Sequence, residues 1–310
     1  MFGSPNFFLA GGAIPRVAVS YTFASNTANA SLNVTTIGGY SAGKTDVTIT
    51  VNAGVYLYGL SATNPAAEKG LTLTGGSTGD TITLVNNGYI MGQGGSAGAN
   101  KVPGAGISLG FNTTINNTNA SAYIGGGGGG GAASIGQATD TFYAGGGGGA
   151  GGGEGDGAQE NCNSEFCWSV NGGAGGTIGL SGQDGQGGTP GTIYIAGAGG
   201  GGRIFPGTGG AGGTGSTPGR GGSAGGGGGR VYQGTGGAGG ATNANGGAAT
   251  QGGAATTAGG GGAGWGGTGG AMAGARQVFA AQAGGKAVAL NGNTVTWTSG
   301  QTARVYGAIS

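Results

Sequence analysis

Glycine is the main building material of the chain between about residues 125 and 274. Because glycine loses more conformational entropy on ordering than any other residue, an isolated glycine tract is expected to be flexible. Tracts that fold must therefore satisfy their backbone groups on one another. The longest tracts are Gly125 to Gly131, Gly145 to Gly153 with Ala150 inside it, Gly199 to Gly202, Gly225 to Gly229 and Gly259 to Gly262.

Polyglycine II is the regular conformation that suits such tracts. It has three residues per turn and no internal hydrogen bonds, so its N–H and C=O groups point outward to neighbouring rods. Two segments with nearly the same text, 198–213 (AGGGGRIFPGTGGAGG) and 224–240 (AGGGGGRVYQGTGGAGG), form an internal repeat. Repeats indicate stacked units, which favours a polyglycine II bundle over 125–274. A low-complexity tether is the alternative.

Composition and charge exclude several classes of protein. Glycine accounts for 91 of 310 residues, and there is no strict Gly-X-Y period of the kind that collagen requires. Charged residues are only 6% and the net charge is +1, so nucleic acid is not an expected partner. Low charge favours association with other subunits. No signal peptide or membrane-spanning run is visible, which predicts synthesis in the cytosol.

The first part of the chain predicts an apolar N-terminal arm over 1–16 and a β-rich attachment domain over 17–124. The arm is expected either to dock on a partner or to pair within the chain. Alternating apolar residues in short segments, such as Val47, Ile49 and Val51, predict strands and almost no α-helix. The segments 84–95 (LVNNGYIMGQGG) and 114–126 (TINNTNASAYIGG) resemble each other, as coils of a β-solenoid do. A β-sandwich with two similar hairpins remains the alternative.

The end of the chain, 275–310, predicts a small β cap. The Asn291-Gly292 pair lies between alternating apolar residues, which is typical of a β-hairpin from Val288 to Thr298. We expect the cap to pack on the base of the bundle or on the first domain.

The chain has little capacity for catalysis or for metal binding. It contains no histidine, and its nine carboxylates form no convincing catalytic pair. We therefore expect no enzyme activity, no metal and no cofactor. Four carboxylates gather at Glu154, Asp156, Glu160 and Glu165, but they lack the spacing of a calcium loop and are read as a solvated acidic loop.

Two cysteines, Cys162 and Cys167, lie in the segment ENCNSEFCWSV. With no further cysteine or histidine they cannot complete a four-ligand zinc site. A local disulfide is the prediction if the protein acts outside the cell, and free thiols are the alternative.

Large apolar residues between the glycine tracts are the distinctive surface of the sequence. Aromatic side chains on a rigid scaffold are typical of binding hot spots, although some of them can instead cap the bundle ends against water. The candidate binding residues at loop tips are Phe142, Tyr143, Ile204, Phe205, Val231, Tyr232, Trp265, Phe166 and Trp168.

A β-rich region followed by glycine tracts with short aromatic loops resembles the bacteriophage tail-fibre tip adhesins that carry a polyglycine II sandwich. The closing segment LNGNTVTWTSG is similar to glycine-rich tail proteins of long-tailed phages. The resemblance implies a non-enzymatic receptor-binding protein of the virion, made in the host cytoplasm and acting at the host surface. It implies as partners a bacterial outer-membrane protein or surface glycan, and other tail or fibre subunits bound through the N-terminal region.

The resemblance leaves alternatives open. The chain is expected either as a monomeric tip or as part of a homotrimer. A structural glycine-rich protein of a virion or cell surface would not depend on its loops. An ice-binding polyglycine II protein would place Thr or Ala in register along the tracts and would need no aromatic tips.

Overall fold

The computed structural model describes residues 15–60, 67–95, 102–132, 161–162, 167–168, 248, 263, 265–271, 280–298 and 304–310. Within these ranges the regular structure is almost entirely β, with one short 3-10 helix at Val34–Thr36 and no α-helix. No helix of the described part is long and apolar enough to cross a membrane. The expectation of almost no α-helix is confirmed there.

Fourteen of the strands form three parallel sheets, which we name A, B and C. Sheet A contains β1 (Val17–Phe23), β4 (Thr45–Val51), β7 (Thr81–Asn86), β10 (Thr113–Asn116) and β15 (Val295–Trp297). Sheet B contains β2 (Thr27–Ala28), β5 (Tyr56–Tyr58), β8 (Tyr89–Met91), β11 (Tyr123–Gly125) and β16 (Val305–Tyr306). Sheet C contains β3 (Ala30–Asn33), β6 (Leu71–Thr74), β9 (Ile107–Leu109) and β14 (Val288–Ala289).

The chain visits the sheets in the fixed order A, B, C and then starts again, so each circuit is one coil of a three-sided β-solenoid. Every pairing between coils is parallel, for example Val47 with Ile82 and Leu84 with Ile115. A β-sandwich built from hairpins would pair neighbouring strands antiparallel. Of the two sequence alternatives, the solenoid is therefore confirmed.

The interior of the solenoid is filled by the alternate residues of its strands. In β4 the inward residues Thr45, Val47, Ile49 and Val51 are buried while Thr48 between them is exposed. Burial of side chains from all three sheets creates one continuous core, as the alternation predicts. The largest fully buried side chains are Ile49, Leu57, Leu71, Leu73, Leu84, Ile90, Met91, Ile107, Leu109, Ile115 and Ile124.

The two similar segments of the sequence are neighbouring coils. Their asparagines lie one above the other, and Asn86 Nδ2 donates to Asn117 Oδ1 at 2.8 Å. The same amide donates to the Tyr123 carbonyl at 3.2 Å. Since both asparagine side chains are fully buried, these bonds hold the corner between sheets A and B in register.

The predicted C-terminal hairpin is wrong, although its strands exist. β14 pairs in parallel with β9 of sheet C, whereas β15 pairs in parallel with β10 of sheet A. The Asn291-Gly292 turn, with φ of 50° and 83°, therefore turns a corner of the solenoid. The Asn291 and Asn293 amides each donate to the Leu109 carbonyl of the preceding coil at 3.1 Å. These bonds to another coil take the place of cross-strand bonds within a hairpin.

The glycine-rich region is an insertion within the solenoid. The chain leaves the fourth coil after β11 of sheet B and returns at β14 of sheet C. It then completes the structure with β15, β16 and a last bridge between Ile309 and Val288. Of the strands of the predicted cap, β14 therefore completes the fourth coil, and β15 and β16 belong to the fifth.

Candidate functional site

One corner of the solenoid, between sheets B and C, is where the glycines enter the structure. In the first coil this B–C corner is the single residue Asn29, with φ of 50°. In the next coils it widens to 59–70, then to 92–106, and finally to the insertion 126–287. The corner thus grows coil by coil into the glycine-rich region.

The outgoing side of the B–C corner is a column of backbone hydrogen bonds. The Gly59 N–H donates to the Met91 carbonyl at 2.8 Å, and the Gly92 N–H donates to the Gly125 carbonyl at 2.9 Å. The returning side repeats this, because the Gly106 N–H donates to the Lys286 carbonyl at 2.9 Å. The third coil therefore bonds to the residues at both ends of the insertion, Gly125 and Lys286.

The carbonyls of residues 125–130 accept hydrogen bonds from three different neighbouring segments. These successive carbonyls accept, in order, from Gly92, Gly266, Gly285, Gly95, Ala263 and Gln282. The neighbours alternate among 92–95, 263–270 and 282–285, so the same segment recurs every third residue. No residue of the described tract 125–132 belongs to a β-strand beyond Gly125. Its carbonyls are therefore directed to three different neighbours in turn.

Close backbone packing explains why these positions are glycine. A Cβ on Gly127 would overlap the Gln93 carbonyl oxygen, and a Cβ on Gly129 would overlap the Gln282 carbonyl oxygen. In both cases the overlapped atom is a backbone oxygen, which cannot move away as the end of a flexible side chain can. The B–C corner therefore excludes any larger residue at these sites.

Trp265, a predicted loop tip, is instead buried with 3% of its surface exposed. It lies over Gly125, where an added Cβ would be 3.3 Å from the Trp265 Cβ, and it packs against buried Met91. The prediction that Trp265 is an exposed loop tip is therefore wrong. The residues that bury Trp265 are distant from it in the sequence, so the glycines beside it do not indicate its burial.

A tyrosine column runs along sheet B beside Trp265. Tyr56 stacks on Tyr89 at 4.4 Å between ring centroids, Tyr89 on Tyr123 at 6.2 Å, and Tyr123 on Tyr306 at 5.8 Å. Burial raises the pKa of Tyr56 and of Tyr306. The column stabilises sheet B next to the point where the insertion leaves it.

Most of the other predicted site residues lie outside the described residues. These are Phe142, Tyr143, Phe166, Ile204, Phe205, Val231 and Tyr232. Trp168 and both cysteines lie in a small antiparallel pair formed by β12 (Asn161–Cys162) and β13 (Cys167–Trp168). The receptor-binding role of these residues and the disulfide remain predictions.

The N-terminal end of the solenoid is a feature that the sequence analysis missed. In register with the buried Thr45 and Ile49 of the next coil, Val17 and Tyr21 are core-facing, yet they are 39% and 40% exposed. At the opposite end the core-facing Trp297 is only partly exposed. Within the described residues, the N-terminal end therefore presents exposed apolar side chains, and β1 has no partner on its outer side.

Polar contacts at the corner between sheets C and A hold this end in place. The Arg16 guanidinium forms an ion pair with Asp46 at 2.7 Å, and its hydrogen bond to that carboxylate lowers the pKa of Asp46. Burial disfavours ionisation of Asp80, but hydrogen bonds from the Tyr40 hydroxyl at 2.6 Å and from backbone N–H groups outweigh it and lower its pKa. In the described ranges no group of three potential metal ligands occurs.

Comparison with known proteins identifies the family. The family model described as "Phage tail fibre adhesin Gp38" matches residues 18–203, which is more than half of the chain. The chain belongs to this adhesin family. The match begins in β1 and continues through the solenoid into the glycine-rich region.

One solved structure is similar to the adhesin, the gp37–gp38 adhesin tip complex of the bacteriophage S16 long tail fibre. The two share 17% sequence identity, with a TM-score of 0.43, over 94% of this chain and 82% of that chain. No curated protein sequence matches the chain. Family membership places the adhesin in the tail fibre of a virion and gives it a receptor-binding role.

Proposed function

We propose that the adhesin recognises a receptor on the bacterial outer membrane through side chains carried between its glycine tracts. The observation that supports this is the period of three in the hydrogen bonds of 125–132. Polyglycine II has three residues per turn and directs successive backbone groups to different neighbours. A bundle of such rods is a rigid platform, and it needs no chemistry beyond binding.

The binding residues that we propose are large side chains carried between the glycine tracts of the insertion 126–287. Trp265 is excluded because it is buried. The remaining candidates are Phe142, Tyr143, Phe166, Trp168, Ile204, Phe205, Val231 and Tyr232. The partner is an outer-membrane protein or a surface glycan, and the adhesin acts at the host surface without catalysis.

We propose that the N-terminal end of the solenoid binds the rest of the tail fibre. Its core-facing Val17 and Tyr21 are exposed, and β1 has no partner on its outer side within the described residues. A strand of another fibre subunit that pairs with β1 would satisfy these backbone groups and would cover the apolar face. The two activities therefore lie on different parts of the chain.

One experiment with two classes of variant tests both assignments. Replacing 203–206 and 230–233 with Gly/Ser sequences is expected to abolish binding of the purified adhesin to host outer membranes without changing its unfolding temperature. Tyr21→Lys is the matched control, since it is expected to preserve this binding but to reduce assembly of the adhesin onto fibres. Binding that persists in the loop variants would place the receptor site elsewhere.

A further inference from the structure

The short pair of strands inside the glycine-rich region brings the two cysteines opposite each other. β12 and β13 are antiparallel, and their register pairs Cys162 with Cys167 and Asn161 with Trp168. Residues directly opposite in such a pair have Cα atoms about 4.5–5.5 Å apart. A disulfide requires about 4.4–6.8 Å. The backbone therefore meets the distance requirement without rearrangement.

These are the only two cysteines among the 310 residues. Each can form an intramolecular disulfide only with the other, and the chain has no histidine with which to share a metal. An intramolecular bond between Cys162 and Cys167 would close a loop of four residues, 163–166. The carboxyl-terminal neighbour of this bond is Trp168, one of the proposed binding residues.

We propose that this pair is a redox-timed cross-link, open during synthesis in the host cytoplasm and closed after the virion is released. This inference rests on the proposed function, which places the adhesin first in a reducing and then in an oxidising environment. Cytosolic thiol systems keep such cysteines reduced, whereas disulfides persist outside the cell.

The closing reaction needs an oxidant, and a small-molecule disulfide is sufficient. One cysteine thiolate attacks a sulfur of that disulfide and releases one small thiol, which leaves a mixed disulfide on the protein. The second cysteine thiolate then attacks the protein sulfur and releases the second small thiol. Two cysteines are oxidised to one disulfide, one small disulfide is reduced to two thiols, and the two cysteine protons end on the released thiols or in water.

The consequence is that the bond between Cys162 and Cys167 restricts the four residues between them before the protein meets a receptor. A short loop that becomes ordered only when it binds loses conformational entropy, and this loss weakens binding. The cross-link restricts the free loop as well as the bound one, which reduces that cost. The antiparallel register supplies the geometry, and release from the cell supplies the timing.

Thiol trapping on the full-length adhesin tests the first half of this proposal. Cells that produce the protein are lysed directly into an alkylating reagent, and intact mass is measured. We expect two alkyl groups per chain. After the same protein is incubated with oxidised glutathione, we expect no alkylation and a loss of about two mass units for the two hydrogens removed. Two thiols that stay alkylatable, or cross-linking between chains, would overturn the proposal.

Binding measurements test the second half. The oxidised adhesin is expected to bind host outer membranes up to about tenfold more tightly than the reduced form. The double variant Cys162→Ser with Cys167→Ser should match the reduced form and should not respond to reductant. Equal binding by the oxidised and reduced forms would overturn the role of the cross-link. If neither form binds, the proposed function fails, while the trapping result still decides whether the cross-link forms.

Discussion

A core residue of the solenoid and a glycine of the B–C corner satisfy their backbone hydrogen bonds in different ways. In the coils each inner strand bonds to the coils before and after it, and alternate side chains fill the interior. In the corner the carbonyls of 125–130 accept from three segments in turn, and a Cβ on Gly127 or Gly129 would overlap neighbouring backbone. The coils thus depend on the apolar side chains that fill them. The corner depends on glycine, because the lack of a side chain lets its backbones approach each other closely.

The difference has a consequence for tolerance to substitution. Outward positions of the coils, such as Thr48, meet solvent and accept other residues. Inside the corner, a Cβ added to Gly127 or Gly129 would meet neighbouring backbone. Removal of atoms is therefore expected to damage the coils most, whereas addition of atoms is expected to damage the corner most.

Leu84→Ala is expected to have the largest effect on stability. Leu84 is fully buried in β7, in register with Ile49 and Ile115 of the neighbouring coils. Its truncation leaves a cavity and should lower the free energy of unfolding by about 3–5 kcal/mol. Chemical denaturation of the purified adhesin measures this loss. Thr48→Ala, at an exposed position of the same sheet, is the control and should stay within about 0.5 kcal/mol of wild type.

Gly127→Ala reverses the experiment, because it adds one methyl group to the corner. The new Cβ would overlap the Gln93 carbonyl oxygen, so the segments 92–95 and 125–132 must move apart. We expect a loss of about 1–3 kcal/mol. Amide hydrogen exchange should accelerate in these segments and not in β4 or β7.

The control for this substitution is Gly38→Ala in the solenoid. Nothing lies within 4 Å of a Cβ at Gly38, and its φ is not in the left-handed region. The same methyl group should therefore be neutral there within about 0.5 kcal/mol. Equal losses from Gly127→Ala and Gly38→Ala would contradict the close packing of the corner.

The sequence predicted the coils better than the corner for a physical reason. Alternation in β4 and the Asn pairs at 86–87 and 116–117 are local signals, and the strand and the neighbouring coils that they predict are confirmed. Alternation is the same in parallel and antiparallel strands, so it did not show that β14 and β15 belong to different sheets. The burial of Trp265 depends on Gly125 and Met91 of other segments. No local pattern near Trp265 carries that information.

The same limit applies to the insertion and to the open end. The return of the chain to sheet C after the glycine-rich region is a long-range event with no signal at residues 126 or 287. The exposure of Val17 and Tyr21 follows only once β1 is known to be the first strand of its sheet. An alternating first strand looks the same as an alternating inner one.

Asp80→Asn probes a third distinction between the two regions, and it is expected to have the smallest effect. The solenoid corner at Asp80 is held by a carboxylate, which accepts from Tyr40 Oη at 2.6 Å and from the Thr45 N–H at 3.0 Å. The corner at 125–132 uses only backbone groups and one glutamine amide, none of which titrates. Only the former should therefore respond to pH.

The sign of the response follows from the pKa of Asp80, which is lowered in the folded state. Its contribution is complete above the unfolded pKa of about 3.9 and is lost as the pH falls through the lower folded value. At pH 7 we expect Asp80→Asn to cost about 1 kcal/mol, because these bonds are partly exposed to solvent. The gap to wild type should close in strong acid. Tyr40→Phe removes one donor but keeps the carboxylate, so its acid transition should lie at higher pH than that of wild type. A gap between Asp80→Asn and wild type that does not change with pH would show that the side chain holds the corner by its shape and not by its charge.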